Sequence, residues 1–259
     1  MRTIDGKTAA LAFLALTGIA GLVACGGGSS APHPPAPGAI PAGQVIGSAS
    51  IAGRVGYDGL PPPRKPLKMS GEASCHRPGD PDALSEDLVV GPDGGLKNAW
   101  VRVVSGLGDR VFAPPAQAVE FDQAGCVFLP HVVTAQTDQP VLFKNSDPVV
   151  HNVRAVAKEN ATFNVSLSGR GRSVRRFFPK PEAIRIKCDL HVWMGGYVLV
   201  HSSPFQAVTG ADGAFSLDGL PAGGYDVEAW HEALGASRQS VTLADGERKE
   251  MTFTFRKGS

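Results

Sequence analysis

A charge excess of either sign is missing from this sequence: 25 Lys and Arg face 24 Asp and Glu, leaving +1. Nucleic-acid-binding domains usually carry a basic excess, so this balance gives no footprint for nucleic acid. Long apolar runs are scarce too. Only Ala9 to Val23 is almost wholly apolar, and it falls short of the ~20 residues that a bilayer span needs. No other segment could span a membrane. Apolar residues at helical spacing and internal repeats are also lacking. What is present in quantity is glycine (32) and proline (21), about a fifth of the chain. That content does not suit a helical bundle but does suit many short strands joined by turns. The 42% of hydrophobic residues is enough for a core and excludes disorder of the whole chain. The length suggests one or two domains.

The strands announce themselves by alternation. Ile51–Tyr57 ends at the turn Asp58-Gly59, and Ala99–Val104 follows the turn Pro92–Gly95. Ala118–Phe121, Val127–Phe128, Val132–Ala135, Val141–Phe143 and Val153–Val156 come next, then Ile184–Lys187 and Tyr197–Val200. The tail adds Ala214–Leu217, Tyr225–Trp230, Ser240–Leu243 and Met251–Phe255, at the spacing of a β-sandwich. Between residues 70 and 90 the chain reads as irregular, with one helical turn at Pro81–Asp87.

The first residues read as an address. Arg2 and Lys7 precede the apolar run, which ends in Leu22-Val23-Ala24-Cys25. This ending resembles the lipobox of bacterial lipoproteins, which implies a signal peptide over 1–24 and lipidation of Cys25. Such anchors carry more than one acyl chain, as stable membrane attachment requires. The implied location is exported and lipid-anchored, facing the periplasm or cell surface. Gly26 in place of an aspartate points to the outer rather than the inner membrane. Residues 25–47 then form a Gly/Ser/Pro tether, from which nothing is expected to be buried.

Four cysteines remain to be assigned. Cys25 belongs to the lipid and Cys188 to the cluster below. In an exported, disulfide-permissive compartment, Cys75 and Cys126 pair economically. A second metal site from Cys75, His76, Cys126 and His131 is the rival, though its spacings match no familiar ligand grammar.

Cys188-Asp-Leu-His191-Val-Trp-Met194 brings a thiol, an imidazole and a thioether into one short loop after a strand. Soft thiolate and thioether hold Cu(I), while imidazole also suits Cu(II), so the set suits a copper that shuttles between the two. The loop offers one histidine, and His151 can supply a second. Zinc is the alternative metal, but methionine is a poor ligand for it. A buried structural thiol and a copper site with an exchangeable ligand also remain open.

The series Phe128-Leu-Pro130, Asn145, His151-Asn152 and Cys188/His191/Met194 resembles the cupredoxins, the plastocyanin and amicyanin family. The match covers about residues 116–203, and the Cys-x2-His-x2-Met loop is similar to that of amicyanin. The resemblance implies one type 1 copper with His151, Cys188 and His191 as equatorial ligands and Met194 axial. It implies that Asn152 ties the ligand loops together, with Asn145 beside it. It also implies single-electron transfer, with His191 as the electron port, to a redox protein such as a c-type cytochrome or an oxidoreductase. No substrate is transformed on this reading.

The tail from Val208 to Glu228 resembles the carboxypeptidase regulatory-like, transthyretin-like sandwich, with turn signals at Asp212-Gly213 and Leu220–Gly224. Its opening strand resembles Ile51–Tyr57. The expected architecture is therefore all-β: a Greek-key cupredoxin sandwich over 116–203, inserted in or packed on a second sandwich built from 48–115 and 204–259. His131, His201, His231 and Glu232 are expected at the surface or in structural roles. The basic run from Arg170 to Lys187 reads either as a solvated edge strand or as a patch that steers acidic partners. The competing function is a non-redox module for copper storage or delivery, or for extracellular binding.

Overall fold

The computed structural model describes residues 31–69, 72–75 and 83–257. Residues 1–24, Cys25 and His76 lie outside the described residues, so the expectations for the signal peptide and lipidation fall there too. The protein is all-β. Its strands are β1 (Ala49–Tyr57), β2 (Trp100–Ser105), β3 (Val119–Ala124), β4 (Val127–Leu129), β5 (Val132–Gln136), β6 (Val141–Asn145), β7 (His151–Val156) and β8 (Phe163–Leu167). They continue with β9 (Arg172–Arg176), β10 (Glu182–Lys187), β11 (Gly195–His201), β12 (Gln206–Val208), β13 (Ala214–Leu220), β14 (Gly223–His231), β15 (Gly235–Leu243) and β16 (Arg248–Phe255). Among the described residues no helix is long and apolar enough to cross a membrane.

The strands form four sheets, and chain order decides their grouping. The first and last strands make the sheets β13-β1-β16 and β12-β2-β14-β15. Their inward residues share one core, with Ile51, Val55, Val101, Val227, Leu217 and Phe253 at its centre. The middle of the chain makes β5-β11-β10-β7-β8 and β4-β3-β6-β9, around Phe121, Phe143, Val153, Ile184 and Ile186. Alternation supplies both cores: along β14, Tyr225, Val227, Ala229 and His231 face in while Asp226 and Glu228 are less buried. β1 is held on both sides, antiparallel to β13 and parallel to β16, so residues some two hundred positions apart close the outer pair of sheets.

A third small cluster of Trp100, Val132 and Leu199 joins the two sheet pairs, with Tyr197 and Trp230 packed against it. His201 lies at the same junction, and its Nε2–H donates to the Val103 carbonyl at 2.8 Å. Burial outweighs that bond and pushes the imidazole pKa down to about 4. The folded state thus refuses a proton that the unfolded chain accepts below ~6.5. Stability should therefore be lost as pH falls through the window from 6.5 to about 4. This histidine alone should cost roughly 2 kcal/mol by pH 5. Urea denaturation at pH 7 and pH 5 should show a smaller difference for His201→Gln, whose amide keeps a donor for Val103. An equal difference would remove His201 from the acid response.

Several expectations are corrected. The helical turn at Pro81–Asp87 is absent from the described part of that stretch, where Leu84 instead bridges Pro66. The tether does bury a residue pair: Ile40 exchanges backbone bonds with Val111 and Ala113, and Ile40 and Ile46 pack on the outer core. His231 is fully buried rather than at the surface. β8, β9 and β12 are strands that alternation did not reveal.

Candidate metal centre

β7 and β10 are antiparallel neighbours, with Lys187 opposite Arg154. Continuing that register brings the residues after Lys187 alongside the start of β7, where His151 and Asn152 sit. On its other side β10 pairs with β11, Lys187 opposite Gly195, so residues 188–194 form the loop that closes a hairpin. The loop is pinned from within: the Met194 amide donates to the His191 carbonyl at 2.8 Å, and the Cys188 amide to the Met194 carbonyl at 3.3 Å.

This register brings His151, Cys188 and His191 together. The two Nδ1 atoms are 2.9 Å apart, and Cys188 Sγ is 3.7 Å from His191 Nδ1 and 4.0 Å from His151 Nδ1. All three residues are buried, and so is Met194, which packs in the same core as Cys188. Three ligands each ~2.0–2.3 Å from one shared ion span separations of this size. Nitrogen and sulfur donors facing one another across a buried point can hold a metal ion.

Asn145 and Asn152 brace the donors. Asn145 donates to the carbonyls of Val149 and Leu167, both at 2.9 Å, and accepts the Asp147 amide at 2.9 Å, fixing the loop that delivers His151. Asn152 Oδ1 accepts the Asp189 amide at 2.7 Å and the Cys188 thiol at 3.2 Å, joining the two ligand-bearing segments. Asn152 Nδ2 in turn donates to Asn164 and Asp189.

Asp147 is the functional residue that sequence reasoning passed over. Its Oδ2 accepts the His151 Nε2–H at 2.9 Å and the Cys126 amide at 2.8 Å, while Oδ1 accepts the Gly125 amide at 2.7 Å. A carboxylate on Nε2 keeps the proton there and leaves Nδ1 with its lone pair toward Cys188 and His191. Burial would lower the His151 pKa, but the Asp147 hydrogen bond and the Cys188 sulfur raise it to about 9. Burial would raise the Cys188 thiol, yet the His151 hydrogen bond and nearby backbone amides hold it below its ordinary value. Burial and the neighbouring His151 charge lower the His191 pKa. Without a metal the site thus favours a Cys188 thiolate paired with a protonated His151 beside a neutral His191, and a metal ion binding at His151 Nδ1 would displace that proton.

Cys75 and Cys126 are bonded to each other, closing a loop of sequence separation 51. Cys126 sits against the site through its amide on Asp147 and its carbonyl, which accepts the Trp193 indole N–H at 3.0 Å. Trp193 packs beside His191 with the rings tilted by 52°, ring centres 5.2 Å apart. The rival use of Cys75 and Cys126 as metal ligands is therefore not the arrangement found, and His131 instead meets Glu232. Loop-closure entropy for this separation stabilises the folded chain by about 4 kcal/mol. The double variant Cys75→Ser/Cys126→Ser should lose about that much in chemical denaturation. A loss below ~1 kcal/mol would mean that the bridge does not constrain the unfolded chain.

No protein-family model and no curated protein matches the chain. Among solved structures it is similar to amicyanin from Paracoccus versutus, at 21% identity over 39% of this chain and 97% of that one, with a TM-score of 0.31. It is similar to a purple cupredoxin from Nitrosopumilus maritimus, at 18% identity over 31% of this chain and 97% of that one, TM-score 0.28. A copper-containing nitrite reductase from Thermus scotoductus SA-01 is matched at 23% identity over 39% of this chain, TM-score 0.30. The alignment spans about a quarter (26%) of that reductase's length.

Proposed function

We propose that the chain holds one copper ion between His151, Cys188 and His191, with Met194 as the fourth ligand, and passes single electrons through it. The observation that carries this reading is the triangle of two imidazole nitrogens and one sulfur, 2.9–4.0 Å on its edges, closed to water. Thiolate and thioether suit the cuprous state and imidazole suits both states, which is the donor chemistry of a type 1 centre. The bound copper would supply a reversible one-electron couple. The protein's part is to hold the donors still: Asp147 fixes the His151 tautomer, Asn152 fixes Cys188, and the hairpin fixes His191. Ligands that do not move between oxidation states keep reorganisation small. No substrate is transformed.

His191 is the electron port on this reading. Flanking residues Leu190 and Val192 are 59% and 81% exposed, giving an apolar rim against which a redox protein can close. The exposed arginines Arg172 and Arg175 on edge strand β9 favour an acidic partner, such as a c-type cytochrome or an oxidoreductase. The lipobox-like segment ending at Cys25 supports a lipid anchor in the outer or the inner membrane, with the folded part in the periplasm or at the cell surface. Residues 116–203 would be the cupredoxin unit, set within a regulatory-like sandwich of 48–115 and 204–259.

The test is metal analysis and absorption spectroscopy of the soluble part after copper addition. One copper per chain and an intense band at about 600 nm that ascorbate bleaches are expected. A colourless protein with stoichiometric Cu(I) would replace electron transfer with storage or delivery, and a chain that takes zinc instead would overturn the copper assignment.

A further inference from the structure

Away from the first site, three polar side chains converge from distant parts of the chain. Asp87 comes from the segment before β2, His131 from the turn between β4 and β5, and Glu232 from the residue after β14. One oxygen or nitrogen from each lies within 4.8 Å of the others. His131 and Glu232 are largely buried, and the imidazole Nε2 meets the Glu232 carboxylate in a short contact, while Asp87 is exposed. A cleft opens beside them, lined by Asp87 and His131 together with Lys65, Lys68, Arg185 and Met194.

Glu86 is paired with Lys97 at 2.7 Å, so the donors that face one another are the carboxylates of Asp87 and Glu232 and the imidazole of His131, with Lys65, Lys68 and Arg185 along the cleft. Glu232 follows the fully buried His231, whose Nε2 has no hydrogen-bond partner among the described residues.

We propose that Asp87, His131 and Glu232 form a second metal site for a divalent cation of the zinc class. The donors are one nitrogen and two oxygens with no sulfur, a set that suits Zn2+ or Mn2+ and not Cu(I). Three protein ligands leave a fourth position for water, and the neighbouring cleft gives it access to solvent. His131 belongs to the sheet pair that carries His151, Cys188 and His191, whereas Glu232 ends a strand of the other pair. An ion held here therefore staples the two sheet pairs together. The site stands independently of the copper reading.

The test is zinc binding by the Cys188→Ser chain, which lacks the thiolate of the first site, measured by equilibrium dialysis with metal analysis. One equivalent of zinc and a raised melting temperature are expected. Adding Glu232→Gln, or separately Asp87→Asn, should weaken that binding by about tenfold or more. Asp87 is exposed, so its variant keeps the fold even if the Glu232 variant does not. No zinc uptake would overturn the site, and so would uptake that is equally tight in the Asp87→Asn and Glu232→Gln chains, since that zinc would sit on His151 and His191. Failure of the copper reading shows itself differently, as a wild-type chain that takes no copper.

Discussion

Cys188→Ser should give a folded chain that has lost the band at about 600 nm and at least about a hundredfold in copper affinity. The serine hydroxyl stays protonated at neutral pH and is a hard oxygen, so neither the charge nor the softness that holds the cuprous state survives. The lost band follows from the same cause, because it belongs to the copper–thiolate bond. The fold has little reason to change. Serine is close in volume to cysteine, and its hydroxyl can still donate to Asn152 Oδ1, the acceptor 3.2 Å from the native sulfur. The stability change should stay within about 1–2 kcal/mol. Titration with copper followed by absorption, with a thermal melt of the metal-free chain as control, checks both halves. A variant that keeps its colour would show that Cys188 is not a ligand, and a variant that fails to fold would show that the thiol is first a core residue.

The sheet-forming part of the fold was legible wherever burial is one-sided. β14 and β16 alternate because every second residue packs on the outer core, and in β16 the residues between them meet solvent. β9 was hidden for a physical reason: it is an edge strand with four arginines or serines among its five residues, and only Val174 points to the core that would mark its period. β12 is three residues long, too short to show a period, whereas Phe163, Val165 and Leu167 of β8 do alternate with Asn164 and Ser166, so that strand carried a legible signal. In the candidate centre, His151, Cys188, His191 and Met194 were readable from donor type and order along the chain. Asp147 was not, because a carboxylate before a proline in a turn looks like ordinary turn chemistry. Only the fold reveals that its oxygens reach His151 Nε2 and the Cys126 amide together. Nor could spacing show that Glu232 would meet His131, since those residues are 101 positions apart and joined only by the packing of one sheet pair on the other.

Asp147→Asn should separate the ligand from the group that aims it. The native carboxylate takes three N–H donors, from His151 Nε2, Cys126 and Gly125. An amide has one oxygen and one NH2, so in either orientation its NH2 faces a donor, and at least one buried N–H is left without an acceptor. That costs about 1–3 kcal/mol of stability. The larger consequence is for His151. With no carboxylate on Nε2, the neutral ring that a metal requires is free to keep its proton on Nδ1, the atom that faces Cys188 Sγ and His191 Nδ1. Each chain must then pay for retautomerising or reorienting the ring before a metal can bind, and copper affinity should fall by about 10–100-fold. A purely structural Asp147 would lower the denaturation midpoint while leaving copper affinity and the shape of the absorption band unchanged. Asp147→Glu, which retains the charge but lengthens the reach, should recover part of the affinity if orientation through the carboxylate is the cause. Competitive copper titrations on the three chains at pH 7, alongside urea denaturation of each without metal, decide between the two. Unchanged affinity in Asp147→Asn would mean that the loop braced by Asn145 holds His151 in place by itself.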